Sequence, residues 1–418
     1  MTAAQVVIAG GGLAGLRTAE ELRARGYQGA LTMVAAEDRP PYDRPPLSKA
    51  ALLGEPDAAE LGAELDTTLK ADFGALGADL RLGEPATGLE LAGRGAGAGT
   101  GASGGTVRTA RGGYPFDRLV VATGAAPVAL PGRGPQRFLR THTDALALRR
   151  LLRPGLRLVI VGAGWIGAEL ATAAAARGCR VTVVEAGPAP LAGAIGAEAG
   201  SKTVPWYAAA GIDLRTGQAV ESVEDGGLVL PGGGWLPADE VVTAIGVRPA
   251  VRWLEGSGVR LENGVAVDER LRASAPGVYA AGDCASFVSR RFGRRLRFEH
   301  WDVALHAPEV VAANILGADE VYDPVPYSWS EQFGRMMQYA GYHGGAGRLV
   351  WRGDPDQPAG PWTACWLAGS RLVAVLAVDR PRDLLQGRRV IASGAPVDAA
   401  RLADPAVPLK NATVTAVN

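Results

Sequence analysis

The chain has 418 residues, with 43 Lys or Arg balanced by 43 Asp or Glu. That length gives two or three domains with full cores, and the charge balance excludes both a global basic field for nucleic acid and an acidic tail. Three cysteines, Cys179, Cys284 and Cys365, contain no CxxC and supply neither a disulfide framework nor paired thiolates for structural zinc.

Val6–Ala9 reads as a buried strand leading into a glycine turn, Gly10-Gly11-Gly12-Leu13-Ala14-Gly15. A helical run follows to Arg25, Gly26 stops it, and Ala30–Ala35 form a second strand that ends near Glu37. Gly93–Gly113, rich in Gly, Ala, Thr and Ser, reads as an exposed hairpin loop. Leu119–Val121 then runs into Ala122-Thr123-Gly124. The opening plan repeats at Leu158–Val161: a turn Gly162-Ala163-Gly164-Trp165-Ile166-Gly167, a helix to Arg177, a stop at Gly178, and a strand Arg180–Val184 that meets Glu185. Val241-Val242 runs into Ala244-Ile245-Gly246, and Val278–Ala281 into Gly282-Asp283. From about residue 323 the texture becomes aromatic and strand-like, in Tyr327–Trp329, Leu349–Trp351, Trp362–Trp366 and Leu372–Val378.

The fold class is therefore α/β, with two Rossmann-like dinucleotide-binding domains plus a C-terminal α+β domain. The boundaries expected are 1–122 with 244–322 for a split first domain, 123–243 for the inserted second, and 323–418 for the third. A lone GxGxxG is a weak signal. Here each copy follows a strand, opens a helix and meets an acid roughly 20 residues on, as the dinucleotide fingerprint requires. Such a turn brings backbone N–H groups against a pyrophosphate at a helix N-terminus. Glu37 and Glu185 would accept from ribose hydroxyls, and Glu185 would repel a 2′-phosphate, which favours NADH over NADPH at the second site. No apolar run reaches the ~18 residues of a membrane span and no basic leader precedes Val6, so the cytoplasm is the expected place. The histidines, His142, His300, His306 and His343, show no HxxxH or HxH spacing, so no metal site is expected; His142 and His343 read as surface or interface groups.

Pro41-Tyr42-Asp43-Arg44-Pro45-Pro46-Leu47-Ser48-Lys49, Ala122-Thr123-Gly124, the second GxGxxGxE, Gly282-Asp283, Glu299-His300-Trp301 and Pro326-Tyr327-Ser328-Trp329-Ser330 occur in that order. Over nearly its whole length the chain resembles the FAD-dependent ferredoxin reductases of bacterial oxygenase systems, a family that includes rubredoxin reductases and apoptosis-inducing factor. The resemblance implies that Gly10, Gly12, Leu13, Ala14 and Gly15 cradle the FAD pyrophosphate and Glu37 holds its ribose. Arg44 and Lys49 would reach the flavin side, the Ala86 backbone would meet the adenine, and Ala122, Thr123, Gly124 and Arg140 would contact FAD. Gly282 and Asp283 would take the ribityl chain, Glu299, His300 and Trp301 would line the flavin, and Trp329 would close over it. On the second fingerprint Gly162, Gly164, Trp165, Ile166 and Gly167 would hold NADH, with Gly246 near the nicotinamide. Lys49 would pair with Glu169 between the cofactors. One departure is Pro190-Leu191-Ala192-Gly193, which ends in Gly where family members often carry Arg.

Lys49 also stands out by composition, because the other lysines are only Lys70, Lys202 and Lys410. A compact ammonium stabilises negative charge on a reduced ring where a planar guanidinium would fit differently. Arg290, Arg291, Arg294, Arg295 and Arg297 form the densest charge cluster, read either as a docking patch for an acidic iron–sulfur ferredoxin or as a solvated loop. The expected activity is NADH-dependent ferredoxin reduction serving an oxygenase. An NADH oxidase, a quinone or small-molecule reductase, and a non-catalytic NADH-sensing flavoprotein are the alternatives. No cysteine precedes Cys179, so disulfide-reductase and thioredoxin-reductase chemistry is excluded.

Overall fold

A computed structural model describes residues 4–53, 67–92, 104–357 and 360–414. The chain divides into two compact units: residues 1–43, 67–126 and 247–324 form one, and 44–66, 127–246 and 325–418 form the other.

The first unit is built on a five-stranded parallel sheet, in the order Val278–Ala280, Arg118–Val121, Val6–Ala9, Leu31–Val34, Ala78–Arg81. Val6–Ala9 is central and fully buried, which explains its uninterrupted apolar run. The chain leaves this strand to one side through helix Leu13–Ala24 and returns much later on the other side. The first glycine turn therefore sits at the reversal of strand order, where α/β sheets bind ligands. Helix Trp301–Ile315 packs along Leu13–Ala24. The expected hairpin loop over 93–113 is corrected in part. Gly105–Thr109 and Gly112–Phe116 are strands, paired antiparallel with each other and with Ala86–Leu91, while 93–103 lies outside the described residues.

The second unit repeats the plan with a four-stranded parallel sheet, in the order Asp213–Arg215, Arg180–Val184, Arg157–Val161, Glu240–Thr243. Helix Trp165–Ala176 leaves its central strand. The same unit holds a five-stranded antiparallel sheet in the order Tyr327–Gln332, Arg335–Gly341, Arg371–Val378, Trp362–Ala368, Arg348–Arg352, covered by helix Pro381–Ser393. One apolar core joins the two parts: Leu191, Ile195, Ala199 and Trp206 pack with Met337, Tyr339, Trp362, Trp366 and Leu376. Arg352, 1% exposed, is buried in the C-terminal part. It donates to the Leu402, Asp404 and Val407 carbonyls at 2.5, 3.0 and 3.0 Å and pairs with Asp383 at 3.3 Å.

Candidate functional site

In the first unit, Gly10 has φ +130°, and a β-carbon there would lie 2.0 Å from the Ala122 carbonyl oxygen. One on Gly15 would lie 2.0 Å from the Gly10 oxygen. These two glycines let helix Leu13–Ala24 start against the sheet. Gly12 differs. Its backbone is extended (φ −96°, ψ −168°), and a β-carbon would meet nothing within 4 Å. Protein packing does not demand glycine here. The residue keeps space open in front of a helix whose first N–H groups carry no side-chain cap, a cradle that fits a pyrophosphate.

Glu37, Ala122, Thr123, Gly124, Gly282 and Asp283 follow the carboxyl ends of strands of the same sheet, whereas Ala86, Glu299, His300 and Trp301 lie outside it. Tyr42 donates to Glu37 at 2.6 Å, and the Glu37 carbonyl accepts from the Gly83 amide at 2.9 Å. Ala86 opens a strand, half-buried. The Ala122 amide donates to the Ala9 carbonyl, the Thr123 hydroxyl donates to the Ala250 carbonyl, and Gly124 has φ +68°. Gly282 (φ +76°) would place a β-carbon 3.0 Å from that of Ala14. The Asp283 carbonyl accepts from Arg297, which pairs with Glu299 at 2.6 Å. His300 stacks on Phe298, and desolvation lowers its pKa below the ordinary 6.5, so the ring is neutral at pH 7. The Trp301 indole donates to Asp43 at 2.7 Å.

The second unit carries the second cradle. Gly162 (φ +103°) would place a β-carbon 2.4 Å from the Ala244 oxygen, and Gly167 one 2.0 Å from the Gly162 oxygen. Gly164, like Gly12, is extended (φ −73°, ψ −171°) with nothing within 4 Å. Trp165 is partly exposed and Ile166 is 42% exposed beside it. Glu185 accepts from the Ala163 and Gly187 amides, each at 2.7 Å. Its carboxylate is thus fixed at the end of the second strand, with acceptor capacity left for a ribose. Gly246 has φ +103° and open space at its β-position. Trp329 stacks on Tyr327.

Arg44 donates to the Arg140 carbonyl at 2.7 Å, and the Arg140 amide donates to Asp144. Lys49 and Glu169, distant in sequence, form an ion pair at 3.0 Å with side chains 17% and 3% exposed. Lys49 also donates to the Pro45 carbonyl at 3.2 Å. Ser48 donates to the same Glu169 oxygen as Lys49, and Ser330 donates to the other at 2.5 Å. Sequence reasoning quoted Ser48 and Ser330 as motif members but gave them no role. Their adjacency to Lys49 and Trp329 was the available signal.

The arginine cluster is more internally engaged than its sequence suggests. Arg290, Arg291 and Arg294 are exposed; Arg290 pairs with Glu269, and Arg291 bonds to Asp323. Arg295 and Arg297 turn inward, 22% and 10% exposed, onto carbonyls of Val267, Ser286 and Asp283. His142 is 4% exposed, not a surface group, and His343 is half-buried against Tyr339. Cys284 and Cys365 are fully buried, which pushes their thiols up to about 11 and about 12.

Residues 4–307 match the pyridine nucleotide-disulphide oxidoreductase family model and 327–413 match a reductase C-terminal domain. The chain is 36% identical to the ferredoxin–NAD(+) reductase component of the anthranilate 1,2-dioxygenase system of Burkholderia cepacia, over 98% of this chain and 99% of that protein. The crystal structure of Fdr9 superposes with a TM-score of 0.89 at 48% identity, covering 98% of this chain and 99% of that one. The covalent putidaredoxin reductase–putidaredoxin complex gives a TM-score of 0.89 at 31% identity, covering 98% of each chain. The family is named for a disulphide, yet no CxxC occurs in the sequence and the three cysteines are free. The chain belongs to the pyridine nucleotide-disulphide oxidoreductase family, among the ferredoxin reductases of oxygenase systems.

Proposed function

We propose that this protein is an NADH-dependent, FAD-containing oxidoreductase that passes electrons to a small iron–sulfur ferredoxin serving an oxygenase. The observation that carries the reading is the pair of glycine cradles, each kept open at a glycine that packing does not require, with Lys49 paired to the buried Glu169 in the same chain. The relatives' printed roles as ferredoxin–NAD(+) reductase components support the choice of acceptor.

Residues 1–122 and 244–322 are assigned to FAD, 123–243 to NADH, and 323–418 to the C-terminal domain. FAD, when bound, accepts two electrons from NADH and releases them singly, the conversion that a one-electron acceptor needs. The chain's own residues do the rest. Gly10, Gly12, Leu13, Ala14 and Gly15 bind pyrophosphate, and Glu37 orients the ribose, with the Ala86 backbone serving the adenine. Ala122, Thr123, Gly124, Arg140, Gly282, Asp283, Glu299, His300 and Trp301 enclose the cofactor, with Arg44 at its flavin side and Trp329 closing over it. Lys49, held by Glu169, supplies fixed positive charge for the reduced ring. Gly162, Gly164, Trp165, Ile166, Gly167, Glu185 and Gly246 bind NADH. Arg290, Arg291 and Arg294 offer the exposed charge for an acidic ferredoxin; Arg295, turned inward, would support the loop that carries them. The reaction is assigned to the cytoplasm, where NADH is available; no helix among the described residues is long and apolar enough to cross a membrane.

The test is NADH oxidation by the FAD-loaded protein with and without a small [2Fe–2S] ferredoxin, with oxygen followed in parallel. A large ferredoxin-dependent rate with little oxygen uptake is expected. Rapid oxygen consumption without ferredoxin would replace the reading with an NADH oxidase.

A further inference from the structure

We propose that Ser330, oriented by Gln332, is a positioning residue for the Lys49–Glu169 pair, so that a strand of the C-terminal domain completes the charged group assigned to the flavin. The proposal rests on the reductase reading above.

Glu169 is 4% exposed, and its two oxygens are divided between chain segments. One accepts from Ser48 and from Lys49, and the other accepts from Ser330. Ser330 is 0% exposed and has a single proton, given to a carboxylate that has none to return. The Ser330 oxygen in turn accepts from the Gln332 side-chain amide at 2.9 Å. This relay fixes which way the amide faces, because only its nitrogen can serve that oxygen. The Gln332 Oε1 is then left buried with no partner among the described residues, and Gln332 itself is 1% exposed. A buried acceptor without a partner is a cost that invites a functional explanation. Here the amide orientation that strands this acceptor is the one that orients Ser330.

The consequence falls on Lys49. Its ammonium has three N–H groups, of which Glu169 and the Pro45 carbonyl take two. The direction of the third is set by where the Glu169 carboxylate sits. Releasing the Ser330 side of that carboxylate lets it rotate about its last bond, and the ammonium follows.

The chain has only four lysines, so the side-chain 15N spectrum of lysine-labelled protein resolves them individually. A paired ammonium that is largely shielded, as Lys49 and Lys202 are at 17% and 23% exposure, exchanges its protons slowly with water and is visible. Lys49→Arg assigns the signal, and Lys202, paired with Asp356 at 2.6 Å, is the internal reference. In the cofactor-free protein Ser330→Ala is expected to speed exchange at Lys49 about tenfold with Lys202 unmoved, and Ser330→Thr to restore it. Gln332→Met should give an intermediate rate and serves if Ser330→Ala does not fold. In the FAD-loaded protein Ser330→Ala should slow single-turnover reduction by NADH about tenfold at unchanged NADH affinity, and Ser330→Thr should recover to within about threefold. A Lys49 signal indifferent to Ser330→Ala and Gln332→Met overturns the proposal. FAD-loaded wild-type protein that NADH does not reduce, with the Lys49 signal still responding to Ser330→Ala, overturns the reductase reading and leaves the positioning role standing.

Discussion

Gly10 and Ala122 meet so closely that a single methyl on the first would lie 2.0 Å from the carbonyl oxygen of the second. Two residues on, Gly12 has no such neighbour. Gly10→Ala is therefore expected to cost stability, by about 3 kcal/mol or more, through clash and a φ that L-residues avoid. Gly12→Ala should leave the melting temperature of the cofactor-free protein unchanged and abolish FAD retention. Thermal melting and FAD titration of the two variants side by side separate folding from binding. Gly162→Ala and Gly164→Ala should repeat the contrast for NADH.

Lys49→Met keeps the stem and removes the charge from a pair that is mostly buried with Glu169. Stopped-flow reduction by NADH should slow about tenfold to a hundredfold, with FAD still bound. An unchanged rate constant would remove Lys49 from the chemistry.

The Glu185 carboxylate is anchored by two amides at 2.7 Å and cannot swing away from an added phosphate without losing both. Catalytic efficiency with NADH should exceed that with NADPH by about a hundredfold. Glu185→Ala should narrow the ratio chiefly by weakening NADH. Faster oxidation of NADPH by the wild type would reverse the assignment.

Arg352 is a buried cation whose partners are Asp383 and three carbonyls near the C-terminus. Asp383 keeps Arg380 at 2.7 Å and the Thr363 hydroxyl at 3.0 Å, so the cost of Arg352→Ala falls on the three carbonyls of residues 402–407 that lose their donor, and should be about 3 kcal/mol in urea unfolding.

Burial holds the Cys284 and Cys365 thiols neutral far above their ordinary value of 9.0, to about 11 and about 12. Native protein at pH 8 should react with DTNB at Cys179, the partly exposed thiol, and at all three only after unfolding. Because the folded values are raised, this contribution to stability is complete below pH 9 and declines as the pH rises toward 11. Alkylation of Cys179 should leave NADH oxidation intact, unlike a thiol-dependent mechanism.

Both parallel sheets and their glycine turns were legible because strand, turn and helix each carry a local signature: an apolar run, a glycine punctuation, an apolar period. Gly105–Thr109 and Gly112–Phe116 were missed because only Val107 and Phe116 are buried, too few for an alternating pattern to emerge from glycine and threonine. The Lys49–Glu169 pair was legible only through family resemblance. Ser48, Ser330 and Gln332 were not, since a hydroxyl or an amide has no periodic signal and its partner is chosen by tertiary packing. His142 misled for the opposite reason: its polar type suggested the surface, whereas it is buried in the first turn of a helix.

The apolar core shared by Leu191, Ile195 and Trp206 with Met337, Trp362 and Leu376 bears on how this chain can be recombined. A tail transplanted from a relative at residue 323 would arrive with half of an interlocking surface and leave the other half behind. Chimeras that exchange 191–206 together with the tail should fold, whereas those that exchange the tail by itself should accumulate as insoluble protein. Inheritance of these two segments is in that sense joint, although more than a hundred residues of chain separate them.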